Sequence, residues 1–473
     1  MTKKGKKSTP SPENMPILHP HAAGIDVGAE EHWVGVPADR DAQPVQKLSA
    51  FTCDLHRLAD WLTACRITTV VMESTGVYWI PLFPILEARG FEVALVNARH
   101  VKHVPGRPKT DRFDCRWLQK LHTYGLLAPS LRPPEDICQL RSLLRHRDHL
   151  LRMTVKHIQH MPKSLDQMHL HLPHGMSEVT GVTGMRMLRA IVAGERDPQT
   201  FAQYRDYRMQ SNEETIAKAL EGDDRAEQVF TLTQSLALYD FTQQHIAACD
   251  QDIERVLATF DSLVDPAEHP LPPPTTAPRR PQRNEPAFDL RTHLYRSTGV
   301  DLTQVPGLQA PTIHIVLAEV GLNRHTWPTD KHLASWLGLC PDHQISGGKV
   351  LSTGSRRVHN RASRALRMAA QSLRTSPSSL GAFFRRMRST LGPAKATTAT
   401  AHTLAKILYP MLKEKAPYRA RSAEDYLPKD HERQLRQLRK QAQYVGFDVV
   451  PQTNHESPRH CCDDCAIQSK MIY

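Results

Sequence analysis

The sequence predicts an α/β domain, then a long helical segment, then a second compact region that is mostly α-helical. Three observations predict this. Between residues 22 and 128 short apolar runs alternate with amphipathic stretches, in the order β-β-β-α-β-α-β-α. Beyond Glu135 the apolar residues recur in steps of three and four. Residues 266 to 286, "PAEHPLPPPTTAPRRPQRNEP", hold eight prolines and no apolar periodicity, so they read as an extended linker.

The first strand is predicted around Gly24–Val27, the second around Trp33–Val36 and the third around Val45–Phe51. A helix over Asp54–Cys65 follows, with Leu55, Leu58, Ala59 and Leu62 on one face. Next come a strand at Thr69–Met72, a helix at Tyr78–Arg89, a strand at Phe91–Val96 and a helix from about Thr110 to Leu121. Such an order gives a mixed sheet with helices on its faces. In the helical segment Ile137, Leu140, Leu144, Leu151 and Ile158 suit a seven-residue repeat, with Arg141, Arg145, Arg147 and Arg152 on the other faces. A second seam runs through Val229, Leu232, Leu236, Tyr239, Gln243, Ile246, Asp250, Ile253, Leu257 and Phe260. It calls for a partner helix, in the same chain or in a second copy, and Gln243 and Asp250 are the polar residues that can fix its register. The boundaries follow: a basic disordered tail over 1–20, the α/β domain over 21–130, the helical coiled-coil segment over 131–265, the linker over 266–287, a C-terminal domain over 288–420 and a charged polar tail over 421–473.

Lys and Arg total 61 against 49 Asp and Glu, a net charge of +12 over 473 residues, which favours a polyanionic partner. No apolar run reaches membrane-spanning length, and the basic N-terminus "MTKKGKKSTP" lacks the apolar stretch of a secretory signal. Nine scattered cysteines, an odd number, fit reduced thiols in a cytoplasm. A soluble cytoplasmic protein is the expectation.

Asp26 interrupts the apolar run of "GIDVG". An unpartnered buried carboxylate costs several kcal/mol, so a strand keeps one where a cation, a donor network or a phosphate stands beside it. Glu73 ends the strand "TTVVMESTG", and Asp111 and Asp114 in "KTDRFDCRWLQKL" lie three apart, on one face of a predicted helix. The predicted order sets strands one and four side by side with the last helix across them. Four carboxylates converging there need divalent cations between them, and an oxygen-only set suits Mg²⁺ or Mn²⁺, which act in pairs on phosphodiesters. The plainer readings are first-turn acids complementing a helix dipole and, for Glu73, a turn residue before Gly76. "GIDVG" also resembles the first phosphate turn of the actin and sugar-kinase ATPase fold, but the second glycine-rich loop that fold needs is missing from the sequence.

A second constellation follows the prolines, in "WLGLCPDHQISGGKVLSTGSRRVHNRASRALRMAAQSL". Ser346 precedes Gly347 and Gly348, which leave its hydroxyl exposed as attack on phosphorus requires. Lys349, Arg356, Arg357, Arg361, Arg364 and Arg367 are the candidate nucleic-acid contacts, the last four spaced as a stripe on a helix. The plainer reading is a loop before a solvated helix face. Upstream, "VPGL" forms a tight turn that suits either a phosphate contact or simple chain reversal. Cys461, Cys462 and Cys465 supply one CxxC without a second pair at zinc-finger spacing, and "MHLHLPH" at 168–174 offers metal-binding histidines but reads rather as a polar connection.

With these pieces placed, the chain resembles the DEDD-motif insertion-sequence transposases, the IS110 family related to the Piv invertases. "GIDVG", "MESTGVYW" and "KTDRFDC" match the N-terminal pattern of that family, and "VPGL", "WLGLCP" and "SGG" with the arginine helix match its C-terminal one. The resemblance implies a RuvC-like, RNase H-like N-terminal domain in which Asp26, Glu73, Asp111 and Asp114 hold Mg²⁺, and a C-terminal transposase domain in which Ser346 links covalently to a DNA phosphate. It also implies donor and target DNA as substrates, an element-encoded structured bridge RNA as guide, coiled-coil self-association as a dimer or tetramer, and a nucleoid-associated location in a bacterial cytoplasm. The alternatives are a RuvC-like Mg²⁺-dependent nuclease or resolvase without the serine nucleophile, and an element protein that only binds nucleic acid.

Overall fold

The computed structural model describes residues 15–448, apart from 75, 98–109, 172–177, 208, 210, 275–283, 324–325, 353, 357, 420–437, 440 and 445. The chain divides into two compact units, Met1–Cys138 and Gln139–Tyr473.

In the first unit β1 (Ala22–Val27), β2 (Glu31–Gly35), β3 (Val45–Ser49), β4 (Thr69–Glu73) and β5 (Glu92–Val96) form one sheet in the order β3-β2-β1-β4-β5. β1, β2 and β3 pair antiparallel as a meander, while β1, β4 and β5 pair parallel. Among the described residues, helices α1 (Thr52–Ala64), α2 (Leu82–Ala88) and α3 (Asp111–Thr123) accompany this sheet. The apolar run of β1 is continuous because both of its faces are covered. Ala23, Ile25 and Val27 enter the main core with Leu58 and Leu62 of α1 and Leu82 and Leu86 of α2. Each such leucine or isoleucine, fully buried, stabilises by roughly 1.5–3 kcal/mol, which anchors α1 and α2 to this face.

The alternate residues of β1 meet α3 instead. A Cβ on Gly24 would stand 2.3 Å from the Gln119 amide nitrogen and 2.4 Å from the Cys115 carbonyl oxygen, so the helix backbone lies directly on the strand. Leu118 and Leu121 of α3 pack on Val71 of β4 and Val96 of β5 in a small second core. At the far end of α3 the amides of Leu18 and His19 donate to the Thr123 carbonyl at 2.9 and 3.0 Å, and the His19 ring stacks on His122 at 4.6 Å. The expected tail thus joins the fold by residue 18.

The second unit is built on long helices. α4 (Glu135–Gln167), α5 (Val182–Val192), α6 (Pro198–Ala202), α7 (Glu213–Ala219) and α8 (Ala226–Thr259) are followed by α9 (Leu290–Thr298), α10 (Ala310–Val320) and α11 (Asp330–Trp336). A hairpin of β6 (Gln344–Ser346) and β7 (Lys349–Ser352) precedes α12 (Arg361–Ser372), α13 (Ser379–Leu391) and α14 (Pro393–Glu414). The seam of α8 finds a partner within the chain, since α4 runs antiparallel to it. Arg147 forms a two-pronged salt bridge to Asp250, the second contact at 3.1 Å, and the Thr154 hydroxyl donates to Thr242 at 3.1 Å. Thr242, rather than the expected Gln243, occupies the buried row.

Three of the α4 arginines expected on the faces away from the seam engage partners on other helices, Arg145 while remaining exposed. Arg147 is buried against Asp250, Arg141 donates to the Ala318 and Glu319 carbonyls, and Arg145 donates to the Glu319 carboxylate at 3.1 Å. A helical repeat identifies the apolar seam but cannot show which cations beside it have acids waiting on another helix. In the described part of the proline stretch, Pro272 and Pro273 offer their carbonyls to Arg291 and Gln304.

Candidate active site

Asp26 and Glu73 meet through strand register. β1 and β4 are parallel with Ile25 beside Met72, and one residue further this register sets Asp26 level with Glu73, on neighbouring strands about 4.8 Å apart. Both carboxylates point to the face that α3 covers, since Gly24 and Val71, two residues back on each strand, touch that helix or its core. The same level continues outward: Trp33 of β2 is paired with Asp26, and Lys47 of β3 with Trp33. One row across the sheet therefore reads lysine, tryptophan, aspartate, glutamate.

The first turn of α3 brings the other two acids. Asp114 is half-buried one residue before Cys115, whereas Asp111 opens the helix and is exposed. Cys115 registers how close the group lies: burial pushes its thiol up to about 12, and the negative charge of Asp26 adds to the rise. That cysteine stays protonated and is no nucleophile. Among the described residues no three acidic, histidine or cysteine side chains are already gathered around one point that could hold a cation. The carboxylates offer oxygen ligands only, which suits a hard cation of the Mg²⁺ type. Mg²⁺ takes one or two protein carboxylates together with substrate phosphate rather than a closed protein cage.

The serine constellation takes a definite shape within the second unit. Ser346 ends β6 and pairs with Lys349 of β7, and the two glycines between them have φ of +55° and +77°. That is a two-residue hairpin turn with both central residues left-handed, a geometry glycine adopts without strain. No atom lies within 4 Å of a Cβ built on either glycine, so both are required by the turn and not by packing. Ser346 and Lys349 are exposed, as are Ile345, Val350 and Leu351 beside them.

The basic residues split into two kinds. Arg356 donates to the Ser335 carbonyl at 3.1 Å, Arg367 to the Gly338 carbonyl at 3.2 Å, and Arg361 pairs with Asp148 at 3.1 Å. Arg364 faces solvent. Arg357 lies outside the described residues, as do Cys461, Cys462, Cys465 and residues 172–174 of the histidine run. The "VPGL" turn is a packing feature: Gly307, at φ +87°, sits against Leu373, and Val305 and Leu308 are buried. Arg112 and Arg116 stand between and beside the two aspartates in "DRFDCRW", and their spacing of four, a signal present in the sequence, puts them together on one flank of α3.

Two transposase family models match the chain in order. The first, the DEDD transposase model of IS110, covers residues 23–170 and so contains Asp26, Glu73, Asp111 and Asp114. The second, described as transposase of the IS116/IS110/IS902 family, covers residues 301–385 and contains Ser346 with the arginine helix. No curated protein matches the chain. Among the described residues no helix is long and apolar enough to cross a membrane. With its carboxylate strands and its serine hairpin each falling inside a model of the same family, the matches support an IS110-family transposase, an enzyme acting on DNA.

Proposed function

We propose that this transposase cuts and rejoins donor and target DNA through a serine-phosphate intermediate, with Asp26, Glu73, Asp111 and Asp114 as the divalent-cation ligands of a RuvC-like domain. The observation that carries this reading is the level placement of Asp26 and Glu73 on adjacent parallel strands beneath the first turn of α3. Held by these carboxylates, Mg²⁺ or Mn²⁺ would supply charge neutralisation at the phosphodiester and at the departing oxygen. The chain's own residues do the rest. The strand carboxylates are fixed by backbone pairing, and Asp114 is fixed by the seating of α3 on Gly24. The Ser346 oxygen bonds to phosphorus, its proton leaves to solvent or base, and the P–O bond to one sugar breaks, releasing a hydroxyl. Attack by the hydroxyl of a second strand reverses the step and frees the serine.

Exposure of Ser346 at the tip of a hairpin supports its reaching a large substrate, and exposed Arg364 and Lys349 add phosphate contacts. Guidance by an element-encoded bridge RNA is part of the same reading, supported by the family and by the charge of +12. Self-association as a dimer or tetramer is supported by Phe230, Leu238 and Phe241, which stand exposed on α8 while its seam is used by α4. Denaturing gels of labelled donor DNA incubated with protein, bridge RNA and Mg²⁺ test the proposal. Wild type retains protein on the DNA and Ser346→Ala does not. Cleavage without any attached protein leaves the plain nuclease or resolvase, and attachment that survives Ser346→Ala removes the serine from the mechanism.

A further inference from the structure

The row that carries Asp26 and Glu73 does not stop at the carboxylates. Two strands outward, about 10 Å by strand spacing, it reaches Lys47, and Trp33 lies between. Trp33 and Lys47 line a cleft of about 600 Å³ in the first unit, together with Arg112 and Arg116 of α3. No acidic side chain lines it. Lys47 is partly occupied, with an ion pair to Glu31 and its ammonium 5.9 Å from the Trp33 ring centroid. Arg112 and Arg116 are exposed, and neither has an ion-pair partner among the described residues. Two uncompensated guanidiniums spaced four apart on one helix flank, lining the same cleft as an aromatic ring, match a phosphate backbone with an unpaired base beside it.

We infer that this cleft binds a single DNA strand next to the phosphodiester held at Asp26 and Glu73, with Arg112 and Arg116 on successive phosphates and Trp33 as the stacking platform. The inference rests on the reading of Asp26 and Glu73 as the catalytic pair. Its geometry explains why the arginines sit among the aspartates of α3: the same helix turn that lends carboxylates to the reacting phosphate offers cations to its neighbours. An unpaired strand fits better than a duplex because stacking on Trp33 requires a base released from its partner.

The experiment is fluorescence anisotropy of the full chain, with the Asp26→Asn change in every protein so that no strand is cut, on a labelled single-stranded DNA. A labelled RNA of the same sequence forms the second arm. Arg112→Ala with Arg116→Ala is expected to weaken DNA binding roughly ten-fold and to flatten the plot of log affinity against log salt by about 0.7 per arginine removed. Arg112→Lys with Arg116→Lys keeps most of the salt slope. A control removes two exposed arginines elsewhere, Arg57→Ala with Arg255→Ala, and changes binding by less than about two-fold. Trp33→Phe, which keeps a ring in the strand, retains binding that Trp33→Leu loses. Equal losses in cleft and control variants, a loss confined to RNA, or absence of DNA-strand binding by the parent protein each overturns the inference. Failure of the carboxylate reading is read separately, as cleavage by the otherwise wild-type chain that persists after Asp26→Asn.

Discussion

Asp26 and Glu73 stand level on adjacent parallel strands, the last residue but one of β1 beside the last of β4, and both face the helix that carries Asp111 and Asp114. The position is set by backbone pairing, and nearly everything asked of the site depends on keeping it.

The seating of α3 on β1 is the most exposed to substitution. Gly24→Ala forces a methyl group to within 2.4 Å of two backbone atoms of the helix, neither of which is free to rotate away. Denaturant titration is expected to show a loss of about 1–3 kcal/mol or more, the usual cost of overpacking. Catalysis should fall further than stability, because the helix that shifts brings Asp114 with it.

The base of the same helix makes the first unit acid-sensitive. His122 is buried, its Nε2 lies 2.9 Å from the Thr69 hydroxyl, and burial with the neighbouring His19 lowers its pKa to about 4. Above the unfolded value of 6.5 the ring is neutral in both states and its contribution is fully present. As pH falls from 6.5 toward about 4 the unfolded chain takes up a proton that the folded chain refuses, so stability drops, by up to about 3 kcal/mol. Urea midpoints measured across this range should slope downward toward acid, and His122→Gln should remove that part of the slope.

Within the second unit the Arg147–Asp250 pair locks α4 to α8. Asp250→Ala leaves the guanidinium buried without its carboxylate and should cost about 3–5 kcal/mol in thermal or chemical unfolding. Arg147→Met combined with Asp250→Leu should recover most of that loss, because two apolar side chains carry no desolvation penalty. Additive losses in the double variant would count against the pair as the lock.

The hairpin of Ser346 yields a prediction about shape. Gly347 has φ +55° and open space around it, so the turn needs the dihedral and not the missing side chain. Gly347→Asn should keep the serine–DNA adduct, since asparagine tolerates this region, while Gly347→Val should lose it.

Much of the first unit was legible in the sequence because its signals are local. The stripe of Leu55, Leu58, Ala59 and Leu62 is the buried face of α1, and the order of strands and helices came out as predicted. The position of Asp26 was legible as an anomaly in an apolar strand, but its level with Glu73 was not, since register is a property of two strands 47 residues apart. The long seam of α8 announced a partner without naming it. Its partner, α4, is identified by Asp250 meeting Arg147, a pairing between side chains 103 residues apart that no local repeat records. The arginine helix misled in the same manner: spacing put Arg361, Arg364 and Arg367 in one stripe, yet Asp148 and the Gly338 carbonyl engage two of them. The hairpin at Ser346 has no strand signal in the sequence because the strands flanking its turn are only three and four residues long.

The most direct measurement is the rate of DNA cleavage against Mg²⁺ concentration for wild type, Asp26→Asn and Glu73→Gln, with DNA binding and thermal unfolding followed on the same preparations. The account predicts that each substitution lowers cleavage by at least about a hundred-fold at saturating Mg²⁺ while binding and unfolding stay close to wild type. Cleavage at the wild-type rate by either variant, with the same Mg²⁺ dependence, would contradict the assignment of the Asp26–Glu73 pair as the centre of the active site.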